Sequence, residues 1–134
     1  MLKHVPKSFT PELLKLLMEA GHGEAIVISD DNFPYKSLSG DSIEIYIPTQ
    51  NITELLRDIL YYYPLDQSVD TAADVMESVK EGSKYSEYSE LIKANDSQLA
   101  CFECFEFYDL AREAVGIIVT SDTTKGGNIL IKKG

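Results

Sequence analysis

The chain has 134 residues and a mass of 15.0 kDa, the usual size of one domain, so a single domain over residues 1–134 is expected. Its residues are 44% hydrophobic and 25% charged, a balance that supplies a core and excludes disorder as the main state. Lysine and arginine number 12 against 22 acidic residues, which gives a net charge of −10. This charge repels phosphate groups, so neither nucleic acid nor an anionic membrane is expected as a partner.

The first half of the chain predicts alternating helices and strands. Thr10-Pro11-Glu12 is typical of a helix start, because a hydroxyl caps the first turn and proline suits the first helical position. Gly21 is the expected end of this helix, where the chain turns left-handed. The β-branched run at 25–28 indicates a strand buried on both faces. A loop over 30–41, an alternating strand over 43–47 and a helix that begins at the capping box 51–54 then follow.

The second half continues this alternation. The predicted elements are a strand within 68–76, a helix over 85–93, a strand over 100–104, a helix over 105–114, and strands over 116–120 and 128–131. Alternating helices and buried strands favour an α/β fold, in which helices cover both faces of one sheet. The sequence therefore predicts a three-layer α/β/α sandwich.

The apolar runs of the sequence predict neither a membrane span nor an export signal. No apolar run approaches the roughly 20 residues of a membrane span. The N-terminal residues also have no apolar signal core. The expected compartment is the cytoplasm.

Two polar residues flank the first predicted strand. His22 follows a helix end in Gly21-His22-Gly23, where the helix dipole favours a protonated ring that can act as a general acid. Asp30 follows the strand directly, and ligand sites in α/β sheets lie at such carboxyl ends, so it is a candidate hydroxyl acceptor. The alternatives stay open, since His22 suits an ordinary helix end and Asp30 an Asx-turn. The other histidine, His4, is expected to be a solvated side chain.

Two further motifs each have a functional and a structural interpretation. Gly126-Gly127-Asn128 can offer backbone N–H groups and an amide to a ligand, or it can be a tight turn. Cys101 and Cys104 match a C-x-x-C redox motif, although on a strand the two thiols would point to opposite faces. One cysteine pair with two distant histidines supplies a zinc site poorly, so no metal is expected.

Several segments in register from end to end carry a family resemblance. They are Pro11-Glu12-Leu13-Leu14-Lys15, Gly21-His22-Gly23-Glu24, Ser29-Asp30 with Phe33-Pro34, Phe105-Glu106-Phe107-Tyr108 and the C-terminal run from Gly127 to Gly134. With them the chain resembles the L-fucose mutarotase and D-ribose pyranase family, most closely its fucose branch. The resemblance implies a sandwich of that family's type and an enzyme that interconverts sugar anomers without a cofactor. It also implies a ring-shaped homodecamer with sites near the subunit boundaries.

The resemblance also implies roles for single residues. His22 corresponds to the family's proton donor, Asp30 to the aspartate that binds sugar hydroxyls, and Asn128 to an asparagine in the same site. Gly127 keeps the glycine of the family's Tyr-Gly-Asn, whereas Gly126 replaces its tyrosine.

Two more positions depart from the pattern. Cys104 stands where the fucose branch has a sugar-contacting arginine, and Asn32 stands where a histidine is common. Arg112 and Lys125 are the candidate replacements for the missing guanidinium.

The hypothesis is that the chain interconverts the α and β anomers of L-fucose. In it His22 protonates the ring oxygen, and Asp30 and Asn128 hold hydroxyls of the sugar. Ring opening and closing is acid–base chemistry, so it needs neither a metal nor a redox cofactor. One alternative is a non-catalytic sugar-binding or assembly protein on the same scaffold. Another is thiol redox chemistry through Cys101 and Cys104.

Overall fold

The computed structural model describes residues 2–134. Its helices are α1 (Pro11–Glu19), α2 (Tyr35–Leu38), α3 (Ile52–Leu60), α4 (Lys84–Ala94) and α5 (Cys104–Arg112). Its strands are β1 (Ala25–Ser29), β2 (Ile43–Tyr46), β3 (Ala73–Met76), β4 (Leu99–Phe102), β5 (Gly116–Val119) and β6 (Ile129–Lys132), and a 3-10 helix covers Glu77–Glu81. Among the described residues, none of the helices has the length and apolar character needed to cross a bilayer.

The strands form one six-stranded sheet in the order β2-β5-β1-β6-β3-β4. Strand β6 runs antiparallel to both of its neighbours, β1 and β3, and the other pairs are parallel. Five strands therefore end at the same edge of the sheet, where β6 begins. We call this the carboxyl edge, and the opposite one the amino edge.

Alternate residues of β1 pack into two separate apolar clusters, which identifies the two faces of the sheet. Ile26 and Ile28 lie in a cluster with residues of α1, α3 and α4. Val27 lies in the other cluster, with Phe107 of α5 and Leu38 of α2. Helices thus cover both faces, and the predicted three-layer α/β/α sandwich is confirmed.

The local capping signals are also confirmed. The Thr10 side chain accepts a hydrogen bond from the Leu13 N–H at the start of α1. The Asn51 side chain accepts from the N–H groups of Thr53 and Glu54 at the start of α3. These side chains satisfy backbone donors that the first helical turn leaves unpaired.

Some predicted boundaries are wrong. The loop expected over 30–41 contains the short helix α2, and the 3-10 helix after β3 was not predicted. Helix α5 begins at Cys104, just past the end of β4. The left-handed backbone is at Gly23, with φ +80°, and not at Gly21, because α1 already ends in extended backbone at Ala20.

Candidate active site

A cavity of about 470 Å³ opens at the carboxyl edge, on the face covered by α5. Its walls come from the ends of β1, β3 and β4 and from the loop that leads into β6. The lining residues are Asp30, Asp31, Asn32, Phe33, Met76, Ser78, Cys104, Tyr108, Thr123, Lys125, Gly126 and Asn128. The position agrees with the rule that ligands bind α/β sheets outside the carboxyl ends of their strands.

Asp30 and Asn128 form the fixed floor of this cavity. The Asp30 N–H donates to Asn128 Oδ1 at 2.8 Å, which joins the end of β1 to the start of β6. Both residues are nearly fully buried, with 5% and 2% of their surface exposed. The Asn32 N–H donates to Asp30 Oδ1 at 3.0 Å, so Asp30 forms an Asx-turn and lines the cavity at once. The two interpretations of Asp30 are therefore compatible.

The surroundings of the cavity change the pKa values of two of its lining residues, Asp30 and Tyr108. Burial raises the pKa of Asp30 above its ordinary value, an effect that the backbone N–H groups of Asn32, Gly126 and Gly127 partly offset. A hydrogen bond with Cys104, together with burial, raises the pKa of Tyr108 to about 12. At neutral pH the Tyr108 phenol thus keeps its proton, so it can donate a hydrogen bond but is a poor acid.

The loop between β5 and β6 is held by one buried carboxylate. Asp122 Oδ2 accepts from the Ile52 N–H at 2.9 Å and pairs with Lys84 Nζ at 3.1 Å. Its backbone carbonyl accepts from the Asp31 N–H at 2.9 Å, which ties the loop to the turn after β1. Asp122 therefore fixes both segments that carry the cavity's polar groups.

The Gly126-Gly127-Asn128 segment divides its tasks. Gly126 lines the cavity in left-handed backbone with φ +66°. Asn128 also lines it, and its amide accepts from the Asp30 N–H and donates to Met76 Sδ at 3.7 Å. Gly127 is buried outside the lining, and its carbonyl accepts from the Tyr88 hydroxyl at 2.6 Å. Gly127 thus supports the cavity wall without bordering the cavity.

The cavity contains one of the two candidate cations. Lys125 borders it, whereas Arg112 lies at the far end of α5 and pairs with Asp109. Cys104 and Asn32 also border the cavity. The positions that depart from the family pattern therefore lie in the cavity wall.

Sequence reasoning assigned no role to several lining residues, among them Met76, Ser78 and Tyr108. Tyr108 lies one helical turn after Cys104 on α5, so an i, i+4 spacing indicates it. Met76 and Ser78 carry no such signal, because the end of β3 reaches the cavity only through its pairing with β6.

His22 lies at the other end of the molecule. It is exposed at the amino edge, where the Gly23 N–H donates to the Lys133 carbonyl at 2.8 Å. The pKa of Asp66 is lowered there, chiefly by hydrogen bonds from Ser68 and also by the charge of His22. The five residues of β1, roughly 16 Å of strand, separate this position from Asp30. The structure therefore does not bring His22 to the cavity of its own protomer.

The two cysteines face different surroundings. Cys101 on β4 packs against the cluster under α1, α3 and α4, and Cys104 lines the cavity on the opposite face. Both are free thiols. Within residues 2–134 no group of three or more histidine, cysteine, aspartate or glutamate side chains is placed to hold a metal ion.

This arrangement suits a small ligand with several hydroxyls. A carboxylate, an amide, hydroxyls and an ammonium group surround a partly apolar cavity, as in many sites for polar small molecules. None of the lining residues is a histidine, the side chain most often used as a general acid near neutral pH.

Comparisons with known proteins agree with this description. The model of the RbsD / FucU transport protein family matches residues 3–134. The zebrafish (Danio rerio) protein named fucose mutarotase is 39% identical over 100% of this chain and 94% of its own length. The crystal structure of a Streptococcus pneumoniae fucose mutarotase in complex with L-fucose is 36% identical, with a TM-score of 0.88 over 99% of this chain and 98% of that one. Bacillus subtilis RbsD, solved with D-ribose, is 18% identical with a TM-score of 0.82 over 100% and 98%, and shows the fold alone.

Proposed function

Because the chain belongs to the RbsD / FucU family, we propose that it is a mutarotase that interconverts the α and β anomers of L-fucose. The observation that carries the proposal is the cavity at the carboxyl edge, where Asp30 and Asn128 are held together by a 2.8 Å hydrogen bond. Full-length relatives named fucose mutarotase support this choice of reaction and sugar.

The reaction requires one proton to arrive and one to leave. The ring oxygen gains a proton while the anomeric hydroxyl loses one, and the C1–O5 bond breaks to give the open aldehyde. Rotation of the aldehyde group and the reverse proton transfers close the ring as the other anomer. Asp30 accepts hydrogen bonds from sugar hydroxyls, and the Asn128 amide holds the sugar beside it. In the proposal a side chain of the protein supplies the proton to the ring oxygen, and solvent water accepts the proton that the anomeric hydroxyl releases.

His22 is the proposed proton donor, and it acts in the cavity of a neighbouring protomer. Its exposure at the amino edge leaves the imidazole accessible to a second copy, whereas roughly 16 Å of strand separates it from the cavity of its own protomer. Exposed apolar side chains support an assembly. Phe105, 72% exposed, lies beside the cavity residue Cys104, and Met18, 85% exposed, lies near His22 in sequence. The proposed assembly is a ring-shaped homodecamer with its sites at subunit boundaries.

The proposal places the enzyme in the cytoplasm. Cys101 and Cys104 are both free thiols, which suits a reducing compartment. Catalysis here uses neither cysteine, so a reducing environment leaves the site unchanged.

Saturation-transfer NMR tests the proposed function. One anomer of L-fucose is irradiated, and the loss of signal from the other gives the exchange rate with and without the protein. The proposal predicts exchange well above the spontaneous rate and proportional to protein concentration. Calorimetric binding of L-fucose without faster exchange would favour a non-catalytic sugar-binding protein. Exchange that needs an oxidisable Cys101–Cys104 pair would favour the thiol alternative.

A further inference from the structure

The wall of the cavity contains one position where a side chain has no room. Gly126 has φ +66°, and a Cβ built on it would lie 2.3 Å from Ser78 Oγ and 3.6 Å from Met76 Sδ. Real Cβ atoms do not approach an oxygen this closely. A side chain at position 126 and a hydroxyl in the present place of Ser78 therefore exclude each other.

The Ser78 hydroxyl is available to a ligand. Ser78 is exposed and borders the same cavity as Asp30 and Asn128. Across residues 2–134 no protein group forms a hydrogen bond with its side chain. The residue lies in the 3-10 helix Glu77–Glu81, directly after β3, so a regular element positions its backbone beside the cavity.

We propose that Ser78 is a substrate-binding residue that donates to, or accepts from, one hydroxyl of the sugar. Gly126 is the positioning residue, because its lack of a side chain leaves room for the Ser78 hydroxyl. This inference rests on the proposed function and deepens it, since it adds a residue that determines which sugars the site prefers. The site therefore binds a sugar whose hydroxyl faces Ser78 more tightly than the deoxy sugar that lacks this hydroxyl. The other polar groups of the site, Asp30 and Asn128, lie on the floor of the cavity and act on the rest of the sugar.

A shape-matched pair of variants isolates the hydroxyl. Threonine and valine have nearly the same shape, and only threonine keeps the hydroxyl. For Ser78→Val we expect KM for the preferred sugar to exceed that of Ser78→Thr by about 3- to 10-fold, the usual effect of one neutral hydrogen bond. We expect kcat to change by less than about twofold, because the hydroxyl binds the sugar equally before and during ring opening.

A panel of monodeoxy sugars then identifies the partner hydroxyl. With the parent protein, removal of that hydroxyl raises KM by about the same factor as Ser78→Val does. With Ser78→Val, the same deoxy sugar and its hydroxylated parent have equal KM values. This loss of discrimination is a readout that a merely structural role of Ser78 would not give.

Gly126→Ala tests the mutual exclusion. We expect it to raise KM as Ser78→Val does, and to add little when Ser78 is already valine, because both changes remove the same contact. Gly40→Ala is the matched control: Gly40 also has a positive φ, +49°, but nothing lies within 4 Å of its Cβ position. It shares the backbone strain without the collision, so its KM should equal that of the parent.

The possible outcomes distinguish the role of Ser78 from the proposed mutarotase function. Equal KM values for Ser78→Thr and Ser78→Val on every sugar that the parent converts would overturn the role of Ser78 and leave the mutarotase function standing. No exchange by the parent with any sugar would overturn the proposed function and the inference together. Unequal KM values with a flat kcat support both.

Discussion

The two edges of the sheet differ in how firmly they hold their polar groups. At the carboxyl edge, Asp30 and Asn128 are almost fully buried and joined by a hydrogen bond. At the amino edge, His22 is exposed on a short turn between α1 and β1. A group that is fixed before the sugar arrives binds it at a lower entropic cost, because less side-chain freedom is lost on binding. A group that serves a neighbouring site has to be exposed, and the amino edge meets that need.

The largest expected effect concerns the exposed edge. We expect His22→Ala to lower kcat for anomer exchange by about 10²- to 10⁴-fold, the usual contribution of a positioned general acid. Binding of L-fucose, measured by calorimetry, should change little, because the cavity at the carboxyl edge stays intact. His4→Ala is the matched control, since it removes the other exposed histidine. An unchanged exchange rate in His22→Ala would remove the imidazole from the mechanism.

Asp30 at the carboxyl edge should make the binding of L-fucose depend on pH. Burial raises the pKa of Asp30 above its ordinary value of 3.8, so acidification protonates this acceptor at a higher pH than it would an exposed aspartate. We expect the Kd for L-fucose to rise about tenfold or more as the pH falls through that pKa, from the loss of a charged hydrogen-bond acceptor. The measurement uses His22→Ala protein, from which the imidazole is absent.

The control for this experiment is Asp30→Asn in the same background, whose Kd should be flat over that pH range. Acid unfolding caused by the protonation of Asp30 does not explain weaker binding of L-fucose at low pH. An aspartate with a raised pKa disfavours the folded state when it is charged, and this penalty disappears as the pH falls. A Kd that rises equally in the asparagine variant would assign the effect to another group.

The rigidity of the carboxyl edge depends on the buried Lys84–Asp122 pair. We expect Lys84→Met to lower the free energy of unfolding by roughly 3 kcal/mol, because it leaves the Asp122 carboxylate buried without its cation. Urea denaturation measures this change. Lys15→Met, which breaks the exposed pair with Glu19, should have almost no effect. Equal losses in the two variants would show that burial of the Lys84 pair is unimportant.

The smallest expected effect is that of Cys104→Ser. A serine keeps a polar hydrogen-bonding group beside Tyr108, so we expect the exchange rate to stay within about threefold of the parent. Cys101→Ser, on the other face of the sheet, should behave in the same way. A large loss of exchange in both variants would favour thiol chemistry over acid–base chemistry.

The elements predicted correctly are those with local signals. The caps Thr10 and Asn51 and the β-branched run of β1 lie within a few residues of the structure that they specify. The four-residue helix α2 is too short to show a helical period. The insertion of β6 between β1 and β3 pairs residues about 100 positions apart, such as Ala25 and Lys132, and no local pattern records it.

The candidate site divides in the same way. Asp30 was predicted from its place after a strand, and Asn128 from the Gly126-Gly127-Asn128 motif and the family resemblance; the structure joins the two by a hydrogen bond. The place of Ser78 beside Gly126 follows from the pairing of β3 with β6, so no local sequence pattern predicts it. The separation of His22 from Asp30 was predictable, because the two residues flank the strand predicted over 25–28 and an extended strand keeps its two ends apart.

Mixing two inactive variants tests the shared site most directly. His22→Ala and Asp30→Asn protomers are co-expressed in equal amounts, and anomer exchange of the mixed assembly is measured by saturation-transfer NMR. If each site takes His22 from one copy and Asp30 from another, about a quarter of the sites in a random symmetric assembly contain both native residues. We expect exchange at roughly that fraction of the parent rate. A mixture no more active than the two variants measured separately would contradict it.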